Sequence, residues 1–103
     1  MIVKIPKEIK IGAFPYKVGF VPNLLVTESR MGECNHVQLK IGIDPIIPDI
    51  TKASTLIHEV LHLIDRNSKC DLGEDNMERI ANGMTEFLYN NLDIEFGWSE
   101  FEL

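Results

Sequence analysis

Residues 55–64, Thr-Leu-Ile-His-Glu-Val-Leu-His-Leu-Ile, are the stretch that most narrows what this chain can fold into. They form an apolar, helix-favouring run interrupted only by His58, Glu59 and His62. A spacing of four is just over one α-helical turn, so His58 and His62 stack on one face with both imidazoles aimed at one point. A helix begun near Asp49 or Thr51, either able to cap it, and run to about Arg66 carries a polar stripe of Thr55, His58, Glu59, His62, Asp65 and Arg66. Leu56, Ile57, Val60, Leu61, Leu63 and Ile64 fill the rest of its circumference. So apolar a helix is largely buried, and its polar stripe must face a cleft or meet partners inside the protein.

Two imidazoles at this spacing suit two ligands of a tetrahedral zinc, and Glu59 lies where it can reach a water on that metal. The H-E-x-x-H pattern, with every other position from 56 to 64 uncharged and aliphatic, resembles the zincin metallopeptidases. Thr55, Leu56, Val60, Leu61, Leu63 and Ile64 fit that family's extended signature. Over its whole length the chain looks like the minimal zincin-like proteins of bacteria and their phages. The resemblance implies a zinc metallopeptidase acting on a protein or peptide, with Glu59 as general base passing a proton from water toward the leaving amine.

A catalytic zinc usually takes three protein ligands. In the gluzincin branch the third is a Glu on the following helix, which implies Glu78, at the edge of that helix's apolar stripe between Met77 and Ala81. Glu74, one turn earlier on the same side, and Asp75 are the alternatives. Branches that place a ligand six residues after the second His would use Ser68, a poor zinc ligand. Asp65 is positioned one turn beyond His62 to accept an imidazole N–H and fix its tautomer, or else to form an ion pair at the helix end. Tyr16 and Tyr89 are the only phenols available to stabilise an oxyanion.

With 103 residues the chain makes one domain, spanning 1–103. Its net charge of −6 and lack of a basic run argue against a nucleic-acid surface. The first residues lack the pattern of a signal peptide and no segment has transmembrane length, so the expectation is a cytoplasmic protein with no membrane partner. Cys34 and Cys70 then read as free thiols, and His36 as an ordinary exposed residue.

The fold class expected is α+β: a small twisted, mainly antiparallel sheet packed on two helices. Alternation at Ile9 and Ile11, then at Tyr16, Val18 and Phe20, predicts a hairpin within residues 1–21 turning at residues 12–15. Val37, Leu39, Ile41 and Ile43 predict a strand over 37–43, with residues 32–34 pairing to it. Residues 24–30 fit either a short strand or an irregular crossing. The family resemblance implies that the 37–43 strand forms a sheet edge able to take a substrate peptide as an added strand. A second helix is predicted from about Glu74 to Asn91, with Met77, Ile80, Ala81, Met84, Phe87 and Leu88 as its apolar stripe. Residues 94–103 form either a tail packing Phe96 or Trp98 on the core or a frayed end.

Two other readings compete with the peptidase. One is a zincin-fold module that binds metal for binding or assembly, without peptidase activity. The other is a metal-free α+β domain whose motif is fortuitous.

Overall fold

The structure, a computed structural model, describes residues 1–101. Its elements in chain order are β1 (Ile2–Lys4), β2 (Glu8–Ile11), β3 (Phe14–Phe20), α1 (Leu24–Glu28), β4 (Gly32–Asn35), β5 (Lys40–Ile43), α2 (Asp49–Ser68), α3 (Glu74–Asn91) and β6 (Glu95–Gly97). The class is α+β, as expected.

The main sheet has the order β2-β3-β5-β4. β2 and β3 form the antiparallel hairpin, with Ile9 opposite Tyr16, and Gly12 supplies the turn at φ 61°. β4 and β5 form a second antiparallel hairpin, with Cys34 opposite Ile41. β5 then inserts beside β3 in parallel, Val18 opposite Ile41, so the sheet is mixed but mostly antiparallel. β1 and β6 make a separate parallel pair, which ties the first residues to the segment after α3.

The strand predicted over 37–43 is shorter, and it is interior rather than at the edge. Asn35 is the reason: its Oδ1 accepts from the N–H groups of Val37 and Gln38, both at 2.9 Å, and bends the chain into a turn. Leu39 closes that turn in the left-handed region at φ 56°. The edge position falls instead to β4.

Tyr16 and Val18 of β3, Ile41 and Ile43 of β5, and Leu56 and Leu63 of α2 meet in one core with Ile5, Ile11 and Ile47. Phe96, Trp98 and Phe101 pack against it, so the tail docks through its aromatic residues as far as it is described. α2 begins after Pro48 rather than at an Asp49 or Thr51 cap, with Asp49 in its first turn paired to Lys52 at 3.0 Å. α3 packs on α2 through Met77, Ala81 and Thr85. Ile80, Met84 and Phe87, expected in that stripe, are between 39% and 51% exposed. α3 has one large neighbour, so only the narrow arc carrying small Ala81 and Thr85 is closed off.

Asp44, just after β5, is buried and joins the sheet to residues 24–28, which are helical rather than extended. Its carboxylate accepts the Leu25 N–H at 2.8 Å, an otherwise orphan donor of the first turn of α1, and the Ile46 N–H at 3.0 Å. The Leu25 bond first, and then the Ile46 bond, hold this carboxyl below its usual range. A lowered folded-state pKa gives stability that is full above the unfolded value, about 3.9, and is lost as pH falls through the folded one. Asp44→Asn should therefore lower the urea midpoint at pH 7, with the gap to wild type narrowing below about pH 4.

Candidate metal centre

The two histidines reach their meeting point through helix geometry alone. His58 and His62 stand one turn apart on α2, their rings stacked at 25° with centroids 4.9 Å apart and their Nε2 atoms 3.1 Å apart. Two nitrogens each about 2.0–2.1 Å from one tetrahedral zinc would lie about 3.3 Å apart, so the observed spacing fits a shared ion.

The third group comes from the helical hairpin. Lys69, Asp71 and Gly73 turn through positive φ between the helices, and Asp65 Oδ1 accepts the Leu72 N–H at 3.0 Å, fixing where α3 starts. That start sets Glu74 over the histidines, with Oε1 2.7 Å from His58 Nε2 and Oε2 2.9 Å from His62 Nε2. His58, His62 and Glu74 are close enough to hold a metal ion. Glu78, the expected third ligand, lines the same cleft one turn further along α3 but does not join this cluster. Asp75 stays outside it as well.

Behind the cluster, Glu59 is buried at 9% exposure, on the border between the core-facing and cleft-facing sides of α2. β4 covers it. The Gly32 backbone runs so close that a Cβ there would lie 2.5 Å from Thr55 Cγ2 and 3.3 Å from Glu59 Cγ. Burial raises the Glu59 carboxyl pKa, opposed by the neighbouring Cys34 thiol and by the two histidines. Burial first, and then the charge of Glu59, push the Cys34 thiol up to about 12, so it stays protonated beside that carboxylate. The whole cleft is about 550 Å³ and is also lined by Arg30 and Glu33, which pair with each other at 3.5 Å.

Cys34 and Gly32 were missed as site residues because nothing local marks them; only the sheet order brings β4 over α2. Asp65 accepts from the α2–α3 connection rather than orienting His62. Neither phenol lines the cleft: Tyr16 lies in the core, and Tyr89 Oη accepts the Phe96 N–H at 2.9 Å. His36 is exposed, as expected, in the β4–β5 turn.

No family model, curated protein or solved structure matches the chain.

Two expectations follow from this geometry. Titrated with zinc by calorimetry, His58→Ala, His62→Ala and Glu74→Ala should each lose at least about a hundredfold in affinity, more than loss of a supporting group costs, while Glu78→Ala stays near wild type. Gly32→Ala, forced against Thr55, should lose about 1–3 kcal/mol of stability in urea unfolding.

Proposed function

We propose that this protein is a zinc-dependent metallopeptidase, with His58, His62 and Glu74 holding the ion and Glu59 acting as general base. The observation that supports this most is the convergence of the three ligand atoms beside a buried second carboxylate, Glu59, on the helix that carries both histidines. A two-imidazole, one-carboxylate set is also the donor chemistry that catalytic zinc favours. Zinc bound there supplies a Lewis acid that polarises an amide carbonyl and brings the pKa of water to about 7.

The chain's own residues supply the rest. Glu59 takes the proton of the attacking water and carries it to the leaving amine. The Gly32 backbone passes close over the Glu59 side chain and confines it beside α2. β4, at the end of the sheet order and lining the cleft, offers an unpaired strand edge to an extended peptide. Substrate is therefore a peptide segment presented as a strand.

Incubation of zinc-loaded protein with a peptide library, read by mass spectrometry, tests the reading. Cleavage by wild type is expected, with Glu59→Gln retaining zinc but slowed by about 10²–10⁴. Stoichiometric zinc with no cleavage of any peptide would leave a metal-binding module without peptidase activity.

A further inference from the structure

A second cavity, of about 300 Å³, lies away from the metal cluster, lined by Phe14, Tyr16, His36, Leu63, Arg66 and Asn67. It brings together the turn-facing end of β3, the β4–β5 turn and the last turns of α2. Its chemistry is opposite in sign to the rest of the molecule. The chain carries 16 acidic and 10 basic residues, yet no Asp or Glu lines this cavity and its one fixed charge is the Arg66 guanidinium.

Arg66 has no carboxylate within ion-pair distance among the described residues. Tyr16 is 4% exposed, and its hydroxyl has no hydrogen-bond partner among the described residues. That hydroxyl is not sealed off either, since Trp98 Nε1 is the one fully enclosed polar side-chain atom without a partner among those residues. A buried phenol that keeps an open hydroxyl at a cavity wall is a donor waiting for an acceptor. Asn67 is held over the β2–β3 turn, where Gly12 leaves it room: a Cβ at Gly12 would lie 2.6 Å from its amide nitrogen. Guanidinium, phenol, amide and imidazole can all donate, and the half-exposed Phe14 ring and Leu63 supply an apolar wall.

We propose that this cavity binds an anionic head, carboxylate or phosphate, carried on a small apolar or aromatic body. Arg66 pairs with the head, Tyr16 donates to it, and Phe14 and Leu63 cover the body. The volume suits a ligand of one ring. The site needs no metal and stands independently of the peptidase reading.

Amide chemical shifts of the full chain, followed during titration with benzoate, phenyl phosphate, inorganic phosphate and neutral benzyl alcohol, test it. Saturable shifts confined to the residues lining this cavity are expected with benzoate, phenyl phosphate or both, and the tighter of the two identifies the preferred head group. Weaker binding of inorganic phosphate and none of benzyl alcohol are also expected. Arg66→Gln, an exposed position, should weaken binding about tenfold, and Tyr16→Phe, which keeps the core volume, by several-fold. Absence of saturable shifts with both ring anions, shifts centred on His58 and His62 instead, or unchanged affinity in Arg66→Gln would each overturn the assignment.

Discussion

A helix that is apolar on most of its surface yet carries two imidazoles and a carboxylate in its middle sets the terms for the whole domain. Leu56 and Leu63 draw α2 onto the sheet, and the same helix turn brings Glu59 to the border of that core. A carboxylate there is expensive to bury alone. The remaining elements close on this stretch from two sides. β4 comes close enough through Gly32 to enclose Glu59 and brings a thiol to it, while α3 brings Glu74 to the histidines. The cleft is what is left between these two walls.

The walls are anchored by hydrogen bonds that lie outside the cleft. Asp44 ties the end of β5 to the first turn of α1, which precedes β4, and Asp65 fixes the connection that aims α3. Both are carboxylates receiving backbone N–H groups that would otherwise lack partners. Two polar side chains with no part in the chemistry thus set the position of groups on either side of it.

What the sequence revealed follows from how local each feature is. His58, Glu59 and His62 were legible because the period of one helix fixes their mutual placement, and the hairpin of β2 and β3 because its alternation is strict. Glu74 and Glu78 were not separable, since they share a helix face one turn apart and the choice depends on where the connection through Asp65 starts α3. The Asn35 turn was legible in principle, because Asn followed by two free N–H groups favours a bend, but the alternation of Val37 with Leu39 masked it. The exposed side of α3 could not be foreseen: Ile80, Met84 and Phe87 have the spacing of a buried stripe and simply lack a second neighbour. The expected edge at 37–43 failed for a similar reason, since only the parallel insertion of β5 beside β3 passes that role to β4.

The origin of the three convergent ligands has a thermodynamic consequence. Two belong to α2 and one to the first turn of α3, so an ion held by all three is a cross-link between helices that otherwise meet through Met77, Ala81 and Thr85. Unfolding the hairpin and releasing the ion are then one event, and free metal concentration enters the folding equilibrium by mass action. An ion bound there would be a staple between the two helices whose strength is set by the metal in its surroundings.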